Sequence, residues 1–159
     1  VTAQFSARTD VVRAALAAAG HPDTVVHVPA GAKTAAEAAA ALGCEVGAIA
    51  NSLIFLADGA PLLVLSSGAH RVDTAGLAAR LGYGAITRAT PDDVVAATGQ
   101  VIGGVSPVGH PAPLVTVIDE SLRAYPDLYA AAGTHDTLFR TDFAALVALT
   151  GATVARTAQ

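Results

Sequence analysis

Methionine and tryptophan are missing from this 159-residue chain, cysteine occurs once, and of nine basic residues only Lys33 is a lysine. A lone Cys44 excludes an intrachain disulfide and a thiolate metal cluster, which fits a reducing, cytoplasmic setting. Basic residues are outnumbered, 9 to 13, and the formal charge of -4 excludes a broad electropositive face that holds nucleic acid by phosphate neutralisation. Any RNA contact must therefore be local, and DNA is not an expected partner. The bias of the basic residues toward arginine reads as a genome-wide codon effect rather than a functional choice. No apolar run approaches the roughly 20 residues of a membrane-spanning helix, so no membrane association is expected.

Cofactor motifs are equally scarce. The chain has neither a Gly-Lys-Ser/Thr phosphate loop nor the glycine spacing of a dinucleotide site, and no cofactor is expected. Its five histidines lack the short spacing that sets two metal ligands on one helical face, so no metal is expected either. The alternative is a folded cluster of His110, His135 and Asp119.

What is present is apolar and alanine-rich: 53% of residues are hydrophobic, enough for one core, and residues 1–159 read as a single domain. Helix signals begin at Thr9 or Asp10, at Thr34 with Glu37 as a capping box, at Asp73 or Thr74, at Thr90 with Pro91, and at Thr141. Short strands are expected at Val25–Val28, in AITRA, LVTVID, LYAAAG and TLFR, and in a final ATVAR. NSLIFL and PLLVLSS flank Asp58-Gly59, a pair suited to the positive backbone angles of a two-residue hairpin turn. Strands and helices alternate irregularly, which excludes an all-parallel sheet and favours an α+β domain with a mixed central sheet.

Two segments carry candidate chemistry. VIGGVSPVGHPAP has three glycines and three prolines and no helical period, so its backbone takes unusual angles or is closely approached. It superficially resembles a nucleophile elbow at Ser106, but proline rather than a helix follows the serine. IANSLIF sets Asn51 and Ser52 into an otherwise apolar strand, where alternation predicts that one faces a pocket and the other is satisfied by backbone or a helix end. Asp119 and Glu120 at the end of LVTVID read as a cap before a turn more readily than as a catalytic carboxylate pair.

The order of ANSLIF, VIGGVSPVGH with LVTVID, and DESL with AAG resembles the YbaK/EbsC family of aminoacyl-tRNA deacylases, which is similar to the editing domain of bacterial prolyl-tRNA synthetases. The resemblance runs from about Val25 to Gly151, and GGVSPVG is its most specific element. It implies a curved mixed sheet with surrounding helices and hydrolysis of the ester joining a wrong amino acid to tRNA, of the Cys-tRNA(Pro) or Ala-tRNA(Pro) class. The implied partners are the acceptor end of an aminoacylated tRNA and an aminoacyl-tRNA synthetase. The implied catalytic positions are Asn51, Gly103, Gly104 and Ser106. Ser52, Pro107, Gly109, Asp119, Gly133 and His135 are the implied substrate-binding positions.

One position departs from the family. Where Asn51 stands, the resemblance implies a lysine that engages the substrate's terminal phosphate and ribose. Asparagine retains hydrogen bonding without charge, and a charged hydrogen bond is worth about 1.5–3 kcal/mol. Two other readings fit the same residues: a non-catalytic module that senses an aminoacyl end, and a hydrolase of small esters unrelated to RNA.

Overall fold

The computed structural model describes residues 5–28 and 34–159; Lys33 lies outside them. Helix α1 spans Ala7–Ala18 and is capped by Ser6, whose hydroxyl accepts from the Thr9 N–H. The cap is thus earlier than Thr9 or Asp10, because Thr9 is fully buried and its hydroxyl pairs with that of Thr137. Helix α2 (Ala35–Leu42) starts at Thr34 as expected, although the Glu37 carboxylate bonds the Thr34 hydroxyl rather than its N–H. Helices α3 (Thr74–Leu81) and α4 (Pro91–Thr98) are capped by Asp73 and by a reciprocal Thr90–Asp93 box. Helix α5 (Phe143–Thr150) is capped by Asp142 instead of Thr141, which is committed to a strand pairing with Leu128.

The strands are β1 (Val25–His27), β2 (Ile49–Ala57), β3 (Ala60–Ser67), β4 (Ile86–Arg88), β5 (Val115–Asp119), β6 (Leu128–Ala131), β7 (Thr137–Thr141) and β8 (Thr153–Ala155). They form one mixed sheet in the order β1-β7-β6-β2-β3-β5-β8, with β4 added on β2. The β2–β3 hairpin turns at Asp58-Gly59, both at positive φ, with Ala57 opposite Ala60. Pairs β2·β6, β3·β5 and β5·β8 are parallel, so the mixed-sheet expectation holds.

Both faces of the sheet are covered. Leu62 and Val64 of β3 pack with Leu77 and Ala78 of α3, while Leu63 and Leu65 join Val12, Leu16, Val94 and Leu146 from α1, α4 and α5. All four β3 residues are fully buried, which explains an unbroken LLVL run where a half-exposed strand would alternate. Ile49 of β2 packs with Ala38 and Ala39 of α2, whereas Ala50 and Ile54 face the larger cluster. By strand alternation Asn51 therefore emerges on the α2 face and Ser52 on the opposite one.

Candidate active site at a break in the sheet

Strand β2 is paired continuously with β3, but its other edge is interrupted. There it pairs with β6 at Ile49 and Ala50 and with β4 from Phe55 to Ala57, leaving residues 51–54 between the two. Ala57 and Ala60 flank a two-residue turn, so they exchange hydrogen bonds, and the alternation of an antiparallel ladder sends the main-chain groups of Phe55, Leu53 and Asn51 toward β3. The N–H and C=O groups of Ser52 and Ile54 consequently lie on the open edge. Unpaired main-chain groups in the middle of a sheet are a template for an incoming ligand.

A cavity of about 140 Å³ opens at this break. Asn51, Ser52 and Leu53 form one wall, Gly103 and Val105 another, and Ala131, His135 and Leu138 a third, with the first turn of α2 closing the side. Both polar residues of β2 line it, because it sits on an open edge rather than on one face of the sheet. The sequence expectation that one of the two would be satisfied elsewhere is corrected accordingly: the Ser52 hydroxyl is buried and has no hydrogen-bond partner among the described residues. Ser52, Leu53, Gly103 and Val105 also line an adjoining lobe whose wall includes Phe55, Arg88, Val94 and Ile102. Among the described residues of the first lobe there is no lysine or arginine.

The glycine-rich loop reaches the break through two close approaches. A Cβ on Gly104 would lie 2.7 Å from Thr134 Cα and 2.8 Å from its carbonyl carbon, so only hydrogen allows the loop to rest on the Gly133–His135 segment. Gly133, at φ +100°, in turn rests on α1, where a Cβ would meet the Arg8 carbonyl oxygen at 2.9 Å. Thr134 donates its hydroxyl proton to Asp136 at 2.7 Å, a bond that holds the Asp136 carboxyl below its ordinary range. These contacts seat His135 at the cavity wall.

Main-chain donors in the loop divide into used and free. The Gly104 N–H donates to the Val101 carbonyl at 3.0 Å, and the Ser106 N–H to Gln100 Oε1 at 2.6 Å. The amides of Gly103 and Val105 make no hydrogen bond among the described residues. Ser106 is fully buried, its hydroxyl accepts from the Val108 N–H, and its carbonyl bonds His110 Nε2 at 2.7 Å. Burial pushes the His110 pKa down, so the neutral ring donates this bond. Ser106 thus offers neither a nucleophile nor an amide to the cavity, and the free donors are its neighbours.

Of the other sequence candidates, Pro107 and Gly109 line a separate depression against α1 and the end of α5. Asp119 is buried and accepts from the N–H groups of Ser67 and Ser121, the capping arrangement read from its position. His110, His135 and Asp119 occupy different surroundings, and no metal-ligating trio gathers among the described residues. Sequence reasoning missed Val105 and Ile54, whose main chain rather than side chain matters within GGVSPVG and IANSLIF, and Arg88 and Gln100, which stand in no motif that marks their chemistry.

An aminoacyl-tRNA editing domain is the family whose model this sequence matches, over residues 29–149, and the chain belongs to that family. It is 32% identical over 117 residues to a proline–tRNA ligase of Geobacter sp. (strain M21), a match covering 73% of this chain but 20% of the ligase. The chain thus spans about a fifth of the length of that relative. Two solved structures superpose over 98% of it with a TM-score of 0.92 and cover 99% of their own chains. One, 42% identical, is a candidate trans-editing enzyme for prolyl-tRNA synthetase, and the other, 40% identical, is a scaffold used for epitope grafting.

Proposed function

We propose that this chain is a deacylase acting in trans, which hydrolyses the ester between a small, wrongly attached amino acid and the terminal ribose of tRNA(Pro) in the cytoplasm. The observation that carries this reading is that Asn51 and Ser52 of the open β2 edge share one cavity with Gly103 and Val105, and that the two loop amides and the Asn51 side chain have no hydrogen-bond partner among the described residues. Water adds to the ester carbonyl, the resulting oxyanion takes hydrogen bonds from the loop amides, and collapse expels the ribose oxygen, which regains a proton. The Ser52 and Ile54 carbonyls and the Ser52 hydroxyl oxygen accept from the α-ammonium group, while Asn51 orients the ribose without neutralising a phosphate. Arg88 supplies the missing charge at the second lobe. An apolar cavity of about 150 Å³ accepts a benzene, so the available volume suits a small or medium side chain. A second hydrolytic site is useful here because one methylene is worth only about 1–3 kcal/mol in a binding pocket.

Incubation with Ala-tRNA(Pro), Cys-tRNA(Pro) and correctly charged Pro-tRNA(Pro) tests the reading. The expected result is accelerated loss of a mischarged species with the correct one spared; no acceleration for any of them defeats it. The absence of a cation among the described residues of the first lobe favours one rival, a module that binds aminoacyl ends without cleaving them. Under that rival, Asn51→Lys hydrolyses a substrate that the parent only binds.

A further inference from the structure

Gln100 belongs to no motif of the site, yet the glycine-rich loop hangs from its carboxamide. It follows the Gly99 cap of α4, is 3% exposed, and is anchored by its own N–H on the Thr98 hydroxyl at 3.0 Å. Its Oε1 accepts from the Ser106 N–H at 2.6 Å and its Nε2 donates to the Val108 carbonyl at 3.4 Å. One partner is a donor and the other an acceptor, so the two bonds fix the orientation of the amide and require both of its ends. His110 holds the Ser106 carbonyl. Val105, with its free amide, immediately precedes the clamped residue, and Gly104 against Thr134 precedes that.

We propose that Gln100 is a positioning residue that sets the Gly103 and Val105 amides for the reacting ester; this rests on the deacylase reading above. It touches no substrate. Its influence passes through the Ser106–Val108 backbone, which would otherwise be free to turn its own N–H and C=O groups toward the cavity. A buried amide bridging two main-chain groups is costly to half-satisfy, since the abandoned partner keeps its full desolvation penalty.

Gln100→Glu tests this, because a protonated carboxyl reproduces both bonds whereas a carboxylate cannot donate to Val108. The ratio of variant to parent single-turnover deacylation rate is expected to be down by about tenfold to a hundredfold at mildly alkaline pH and to recover as pH falls. KM is expected to stay within about twofold, because the binding wall is not removed. Gln100→Met, of similar length and without either bond, is expected to stay slow at every pH. A parental rate in Gln100→Met, or a Gln100→Glu ratio that does not change with pH, overturns the proposal. Amide resonances of Gly103 and Val105 are followed in the same variants without substrate. Their movement with pH in Gln100→Glu alone supports the clamp even where the parent proves inactive, and their failure to move sinks the clamp while leaving the deacylase reading intact.

Discussion

Replacing Gly104 by alanine adds one methyl group where two loops meet. Its backbone is not in the left-handed region, so alanine suffers no conformational penalty and the perturbation is purely steric. The new Cβ would stand 2.7, 2.8 and 3.0 Å from Thr134 Cα, C and N, all main-chain atoms that cannot rotate aside. Carbon pairs rest at about 3.5–4.0 Å, so the Gly103–Val105 and Gly133–His135 segments must separate by about 1 Å. Overpacking of this kind costs about 1–3 kcal/mol, and for a domain of this size each kcal/mol lowers Tm by about 2–4 °C. The same displacement moves the free amides relative to the β2 edge, and about 1 Å of misplacement costs about a hundredfold in rate. Thermal unfolding and single-turnover deacylation, measured well below the variant's Tm, separate the two effects. A Gly104→Ala protein with parental Tm and parental rate would refute the account of how the loops are seated.

Other consequences follow from single side chains. Asn51→Ala removes a neutral hydrogen bond worth about 0.5–1.5 kcal/mol, and kcat/KM for a mischarged tRNA is expected to fall about twofold to tenfold. Arg88→Ala is expected to weaken tRNA binding and to flatten the log–log salt dependence by about 0.7, the single-strand value for one lost phosphate contact. His110 has its pKa lowered from the ordinary 6.5 by burial, so the unfolded chain takes up a proton that the folded one resists. Stability from this group is complete above 6.5 and declines as pH falls through 6.5 toward the folded value. The shifted carboxylates Asp23 and Asp136 lose their contributions only below 3.8, so Tm profiles of the parent and of His110→Gln should diverge in the higher window. Cys44, with its thiol pKa raised chiefly by burial, is expected to alkylate more slowly than free cysteine near neutral pH.

Local chemistry was readable in the chain wherever it is settled by neighbours in sequence. Asp58-Gly59 dictates its hairpin, and Thr90-Pro91 with Asp93 dictates a helix start, because the residues that satisfy the backbone lie within three positions. The two misplaced caps show what overrides such rules. Thr9 is drawn into a buried bond with Thr137, and Thr141 into the β6–β7 ladder, leaving Ser6 and Asp142 to cap. Val11 shares the apolar spacing of α1 but is 53% exposed, since Thr9, Val12 and Leu16 define the face that the sheet covers.

The site was legible by resemblance and only partly by physics. GGVSPVG and IANSLIF mark the segments that meet, and Asn51 does share a cavity with Gly103. Which amides are free was not readable, because the choice falls to the Val101 carbonyl and the Gln100 carboxamide, which take the Gly104 and Ser106 N–H groups through a loop path that no residue pattern marks. Nor could a strand pattern show that β2 loses its neighbour between β6 and β4, since that break depends on the paths of strands far along the chain.

In the proposed reaction the open β2 edge and the glycine-rich loop grip one aminoacyl ester between them. A non-hydrolysable alanyl-amide analogue of the terminal adenosine, titrated while the amide resonances are followed, tests it most directly. Saturable shifts at Ser52, Ile54, Gly103 and Val105, with little change at Ser106, are the predicted result. Binding that leaves those four amides unmoved and perturbs another surface would contradict it.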